Sequence, residues 1–321
     1  MSTIINGSSP SITFSDGSAQ TSATRPFQNR IINGGMSIWQ RGTSSSSIGY
    51  QTVDRWSFYA DSSRTVSRST DVPTGFQYST SLSGTGSTGL TQKIESINCY
   101  GIAGNSITIS FYLKQTTGAG SNAIGLNLYY ANAADDWSAS TQISTTQNFT
   151  TTSGWAQYSA TFSNMPANSV NGLQVTIVTN SGSAVVFLLT GVQLEVGSTA
   201  TSFDYRSIGT ELQLCYRYCY ALYKGDNIYY ANGLYYNSTN VRTQIQFPVS
   251  MRTTPTISYT GYSSFYRDNT LDANNVNGWT VNAGNSNTVQ LSSSNSMSGT
   301  AGQSGLLYAA GGSQLIFLAE L

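Results

Sequence analysis

The chain is 321 residues long, enough for two ordinary domains, and its 14 Lys plus Arg balance 14 Asp plus Glu at a net charge of zero. Charged residues make up 9% of it, so Ser, Thr, Asn, Gln, Gly and Tyr must cover the surface, while 21 Tyr, 12 Phe and 5 Trp are too many for a disordered chain. The absence of histidine excludes Ser-His-Asp and Cys-His nucleophile systems and histidine-ligated zinc, haem or iron.

A neutral balance, with no basic run and no glycine-rich phosphate loop, argues against nucleic acid as a partner. Cys99, Cys215 and Cys219 are odd in number and lack the spacing of a disulfide framework, so buried, inert thiols are expected. The opening MSTIINGSSP lacks the basic and apolar regions of a signal peptide. The most apolar run, 184–189, is far short of the roughly 20 residues a membrane helix needs. The expectation is a soluble protein made in a cytoplasm, with no membrane insertion and no cofactor.

Residues 1–27 read as a separate segment. Ile4-Ile5-Asn6-Gly7 and Ile12-Thr13-Phe14-Ser15-Asp16-Gly17 predict two short strands with turns at Asn6-Gly7 and Asp16-Gly17. The segment is too short to bury a core, which places it against another copy of the chain or an assembly partner. After it, the dominant period is two. Ile107, Ile109, Phe111 and Leu113 alternate with Thr108, Ser110, Tyr112 and Lys114, and the pattern returns at 124–130, 156–162, 173–177 and 192–196. The run 185–189 is apolar on both faces, as in a central strand. With glycine and Asn/Ser/Thr clusters between the strands, the region predicts one antiparallel β-sandwich.

Leu212, Cys215, Tyr216, Cys219, Leu222 and Tyr223 recur at spacings of three and four and predict one helix over 209–223, ended by Gly225 and Asp226. It packs either on its own sandwich or on symmetry-related copies. For the second case Leu212, Cys215, Tyr216, Cys219 and Leu222 are the candidate oligomer-packing residues. From 227 to 321 the period is two again, with short strands at 228–230, 243–247, 256–259, 279–281, 289–291 and 315–319. Asn/Ser/Gly segments at 272–278 and 292–305 separate them. The thin core of such a domain makes oligomerisation a source of stability.

Several segments are distinctive in their order: NRIINGGMSIWQRG at 29–42, YQTVDRW at 50–56, LTQKIE at 90–95, ITISFYLK at 107–114, GVQLEVGSTATSF at 191–203 and ELQLCYRY at 211–218. Together they resemble a family of bacteriophage tail-fibre and virion appendage proteins whose jelly-roll domain is similar to carbohydrate-binding modules. ITFSDGSAQ at 12–20 resembles the N-terminal segments of phage fibres, and the resemblance continues in FPVSMRTTP at 247–255 and in 319–321. It implies an all-β chain: an attachment or oligomerisation segment at 1–27, a jelly-roll β-sandwich at 28–206, a short connecting helix at 207–226 and a smaller C-terminal β domain at 227–321. It also implies a homotrimer on the virion, synthesised in the host bacterial cytoplasm and held by another virion protein through its N-terminal segment. In related jelly rolls an acid in the first strand helps hold a structural calcium. Here that place holds Met36-Ser37, and no metal site is expected.

Within these motifs, Asn33-Gly34-Gly35 is expected to need backbone angles that glycine supplies without a Cβ clash. Asp54-Arg55 before Trp56 is expected to form an ion pair or hydrogen-bond lock across the sandwich, and 191–196 a core strand with Glu195 at its edge. The expected function is a non-enzymatic virion subunit, a tail fibre or tip that adsorbs to host-surface polysaccharide. Sugar recognition uses stacking aromatics and uncharged hydrogen-bonding groups. The candidate positions are Tyr229, Tyr230, Tyr235, Tyr236, Tyr259, Tyr262, Phe265, Tyr266 and Trp279. One alternative is a capsid decoration, head-fibre or fibre-connector protein without a receptor; a polysaccharide depolymerase ranks last. A glycosidase needs two carboxylates in one cleft. Of Asp135, Asp136, Asp204, Asp226, Asp268 and Asp272, the adjacent pair reads as a solvated turn, and neighbouring acids on a strand point to opposite faces.

Overall fold

Segments that alternate apolar and polar side chains must cover one face, and this chain does so with strands throughout. The structure, a computed structural model, describes residues 4–6, 11–13, 19–20, 27–117, 124–179, 184–225, 227–267, 270–276, 278–293 and 297–321. The short strands β1 (Ile4–Asn6), β2 (Ser11–Thr13) and β3 (Ala19–Gln20) pair in chain order, adding a third strand to the predicted two. The rest of 1–26, and the attachment surface expected there, lies outside the described residues.

Ten strands follow in one curled antiparallel sheet: β4 (Ser44–Ser45), β5 (Ser57–Ser69), β6 (Ser79–Ile94), β7 (Ile107–Thr117), β8 (Ile124–Ala133), β9 (Asp136–Gln142), β10 (Gln147–Phe149), β11 (Ala156–Phe162), β12 (Leu173–Thr179) and β13 (Ala184–Val196). One layer runs β10-β8-β12-β6 and the other β6-β13-β7-β11. Strand β6 belongs to both, pairing β13 through 80–85 and β12 through 89–94. Gly89 sits at the change of layer, where a Cβ would stand 2.2 Å from the Ile177 carbonyl oxygen. Inward residues of both layers, among them Trp56, Phe58, Leu82, Leu90, Phe111, Leu126, Val175 and Phe187, fill the space between. Strand β13 joins two predicted strands into one, with a register shift between Thr190 and Gln193 beside the positive-φ Gly191. Glu195, expected at the edge of that strand, is instead buried and accepts hydrogen bonds from the Thr201 amide and hydroxyl.

Helix α1 (Ile208–Tyr216) is capped by Ser207, whose hydroxyl accepts the Thr210 amide. It ends seven residues before the expected limit. Cys219 to Lys224 form a strand, β14 (Cys219–Lys224), because they pair with β23 (Gln314–Leu318) from the far end of the chain, a long-range partner that overrides the local three-four spacing. Gly225 ends this strand at φ 75°, and Asp226 lies outside the described residues. Cys215 packs with Ile32, Ile38 and Tyr218, so the helix lies on its own sandwich.

Between β14 and β23 run β15 (Ile228–Asn237), β16 (Asn240–Gln246), β17 (Thr256–Thr260), β18 (Ser263–Arg267), β19 (Thr270–Val276), β20 (Thr280–Gly284), β21 (Thr288–Ser293) and β22 (Ser304–Ala309). Strand β19 occupies most of 272–278, which read as a linking segment in the sequence. Seven of these strands form the order β19-β18-β22-β15-β16-β21-β20, and β14-β23-β17 form a second sheet. Their shared core includes Tyr223, Tyr235, Phe247, Phe265, Trp279, Leu307 and Phe317. The chain is thus all-β, a jelly-roll β-sandwich followed by one short helix and a smaller C-terminal β assembly.

Asn33-Gly34-Gly35 and Asp54-Arg55 meet where the two assemblies touch. Asn33 (φ 56°) and Met36 (φ 53°) adopt the left-handed angles, not the glycines between them. Gly34 is required for close approach instead: a Cβ there would lie 2.1 Å from the Val192 carbonyl oxygen. The Asn33 side chain accepts the Ser37 and Ile38 amides and donates to the Ile38 and Asp54 carbonyls, holding the loop shut. Asp54 and Arg55 do not pair with each other. Arg55 pairs with Glu320, donates to the Lys93 carbonyl at 2.6 Å and lies 3.5 Å over the Tyr218 ring. Arg41 lies 2.7 Å from Glu320 and 3.7 Å from Asp54. Glu95 accepts Arg217 at 2.8 and 3.1 Å and the Tyr218 hydroxyl at 3.0 Å. The expected lock therefore spans the two assemblies rather than the sandwich.

Removing one partner of a buried ion pair strands the other charge. Glu320→Ala leaves Arg55 and Arg41 buried without their shared carboxylate, and is expected to lower unfolding free energy by about 3–5 kcal/mol in urea titrations. Asp54 supplies a pH test. Burial pushes its carboxyl from the ordinary 3.8 up to about 6, against the opposing pull of Arg41 and Gln40. A raised acid pKa means that the folded state binds the proton more readily, so this contribution to stability grows as pH falls through about 6 toward about 4 and is lost as pH rises again. The melting temperature of the wild type should therefore gain on that of Asp54→Asn between about pH 7 and about pH 5; parallel profiles would contradict the assignment.

Candidate functional site

Along β15 successive side chains face opposite ways, so Tyr235 and Tyr236 cannot both reach solvent. Tyr235 turns inward, edge-on to Phe265 at 5.2 Å, and both are fully buried. Trp279 is 3% exposed in the same core. These three positions, expected to touch a ligand, are sealed core residues. Tyr230 is half-buried, with its ring centroid 4.6 Å from that of Tyr223 and its hydroxyl donating to Ser263 at 3.0 Å.

The outward positions fall into groups. Tyr229, 56% exposed, lies 5.6 Å from Tyr266 and 5.1 Å from Tyr308, and the latter two are 5.6 Å apart. The triad forms because β18, β22 and β15 are neighbours and their register sets Tyr308 opposite Tyr229. Tyr308 was missed in the sequence because its strand had no partner there. Tyr236 lies under the Arg242 guanidinium at 3.5 Å. Tyr259 and Tyr262 are also exposed but make no ring contact with the triad among the described residues.

Arg242, over the Tyr236 ring, lines a cleft of about 640 Å³. Tyr220, Leu222 and Tyr230 give it an apolar wall, and Asn232, Thr243, Gln244, Gln246, Gln290 and Ser304 give it amides and hydroxyls. Among the described residues, Arg242 is the one charged residue lining it. Of the five candidate oligomer-packing residues, Leu222 lines this cleft, Leu212 on α1 packs against the cluster of Ile32, Ile38, Cys215 and Tyr218, and Tyr216 meets Tyr220 edge-on at 5.1 Å. Cys215 and Cys219 are fully buried within their own chain and cannot pack on another. All three cysteines are free, and burial pushes their thiols up, Cys99 to about 12, which keeps them protonated and unreactive.

A second aromatic cluster escaped sequence reading. Phe76, Tyr112, Phe203 and Tyr205 come together on the outer side of β7 and β13, with ring centroids 4.9 to 5.5 Å apart. They are scattered along the sequence and meet only because the segment after β13 folds back over the sheet.

The carboxylates are occupied elsewhere. Asp135 accepts the Ser96 amide and hydroxyl at 2.7 Å, Asp136 the Ser138 amide at 2.9 Å and Asp204 the Asn29 amide at 3.3 Å. Asp226, Asp268 and the Asp272 side chain lie outside the described residues. Among the described residues there is no cluster of three His, Cys, Asp or Glu able to hold a metal ion, and no helix is long and apolar enough to cross a membrane.

No family model matches the chain, and no curated protein matches it. Among solved structures, the enzymatically active domain of tailspike protein 4 from bacteriophage CBA120 is 14% identical over 54% of this chain, at a TM-score of 0.39, and this chain spans 22% of its length. A putative sugar binding protein from Bacteroides thetaiotaomicron is 13% identical, with 53% of this chain and all of that one covered, at 0.39. A xylan-binding domain from Paenibacillus barcinonensis is 14% identical, with 56% of this chain and all of that one covered, at 0.34. The similarity is loose at these values.

Proposed function

We propose that this chain is a non-enzymatic virion appendage subunit, of a tail fibre or tip, that adsorbs to host-surface glycan through its C-terminal β assembly. The observation that carries the reading is the cleft lined by Asn232, Gln244, Gln290 and Ser304 with tyrosine at its wall, and, on the same sheet, a tyrosine triad of exposed Tyr229 and half-buried Tyr266 and Tyr308. Sugars offer C–H faces to aromatic rings and hydroxyls to amides, and a cleft of this size suits an oligosaccharide. Tyrosine supplies such contact area with little side-chain entropy to lose. Hydrolysis would need two carboxylates within reach of one glycosidic bond, and no carboxylate lines this cleft among the described residues. The sequence resemblance supports a place on the virion, a homotrimer and attachment through residues 1–27.

The test is saturable binding of the assembled protein to the surface polysaccharide of the bacterium its phage infects, with block of phage adsorption. Tyr229→Ala and Tyr308→Ala should each weaken binding about three- to tenfold, from the roughly 0.5–1.5 kcal/mol of an aromatic contact, and leave melting temperature unchanged. Phe265→Ala, in the core, should instead cost about 3–5 kcal/mol of stability. An assembled oligomer that binds no host polysaccharide would favour the decoration or connector role.

A further inference from the structure

Most cations of this chain are engaged with carboxylates or carbonyls. Arg41 and Arg55 share Glu320, Arg206 meets Glu211, Arg217 meets Glu95, Lys114 meets Asp71, and Arg252 donates to the Ala319 and Glu320 carbonyls. Arg30, Arg68 and Arg242 instead lie over the rings of Tyr100, Tyr78 and Tyr236. The Arg242 Nε donates to the neutral Asn240 side chain, at 3.4 Å, and its guanidinium carbon lies 3.5 Å from the centre of the Tyr236 ring. No Asp or Glu among the described residues lies within ion-pair distance of it, and it lines the cleft of about 640 Å³.

We infer that the cleft selects an acidic saccharide, one whose sugar ring carries a carboxylate, and that Arg242 is the residue that reads it; this rests on the glycan-binding reading above. A guanidinium held over a ring is fixed in orientation, and the N–H fork of its planar edge matches the two oxygens of a carboxylate. The rest of the lining is neutral: Gln244, Gln290, Asn232 and Ser304 offer donors and acceptors suited to hydroxyls, and Tyr220 and Tyr230 offer apolar surface. A single cation fits the single charge of a uronate better than a phosphate, whose sites gather several cations or a nest of backbone amides. With 9% of residues charged, few neighbouring ions mask this one, so its field extends into the cleft.

The probes are glucuronate, galacturonate and mannuronate oligosaccharides and the same oligosaccharides after carboxyl reduction, which turns each carboxylate into a primary alcohol and changes nothing else. Binding to the full chain is read by ligand-observed NMR. The uronates should bind about tenfold tighter than their reduced forms, with the gap narrowing in salt. Arg242→Gln should bring the two forms to parity, and Arg242→Lys, which keeps the charge without the fork, should leave a smaller gap. Equal binding of both forms by the wild type, or a gap that survives Arg242→Gln at unchanged melting temperature, overturns the role of Arg242 while leaving glycan binding intact. Binding of neither form overturns the acidic-sugar inference, and the host-polysaccharide assay then decides the parent reading on its own.

Discussion

The structure hangs on a carboxylate near the end of the chain that is shared by two arginines near its beginning. Glu320 meets Arg55 and Arg41, Arg41 faces Asp54, and all four side chains are more than nine-tenths buried. Ions out of water are costly, and such an arrangement holds only when every partner is in place. The placement is correspondingly rigid. Gln40 donates to Asp54 and to the Cys219 carbonyl and accepts the Ala221 amide, so the jelly roll grips β14 directly. Because β14 carries Tyr220 and Leu222, one wall of the cleft is set by contacts made far from it in sequence.

This explains a division of labour in a chain with so few charges. Among the described residues the ion pairs of Arg41, Arg55 and Arg217 gather at the junction, where direction and geometry matter, and amides, hydroxyls and tyrosines supply much of the rest of the surface. Such a surface avoids strong long-range fields and recognises by shape, stacking and hydrogen bonds. Against that background one stacked guanidinium at the cleft stands out chemically.

Much of the fold was legible in the alternation of side chains. Strands β7, β8, β11 and β12 announce themselves because apolar or aromatic residues occupy every second place. Strands β5 and β6 did not, since Ser, Thr and Gly fill most of their positions and Thr80 and Thr88 are buried where an apolar residue would have signalled the core. The end of α1 was misplaced because a spacing of three and four continues into a strand whose partner lies at the other end of the chain. At the candidate site, composition named tyrosines that the structure divides between core and surface. Parity along β15 alone would have separated Tyr235 from Tyr236. Tyr308 needed the register between β15 and β22, and Arg242 needed a ring beneath it, and neither is written in any local pattern.

Strand β6 carries a consequence for how the sandwich opens. Its two halves hydrogen-bond into different layers, so neither layer can peel away without breaking the backbone ladder of the other. Local breathing is thereby confined to outlying strands such as β4, β10 and β11. Amide protons along β6 should exchange with solvent only when the whole sandwich opens, which makes this polar, glycine-rich strand the slowest-exchanging part of the fold despite having only three large apolar residues, Leu82, Leu90 and Ile94.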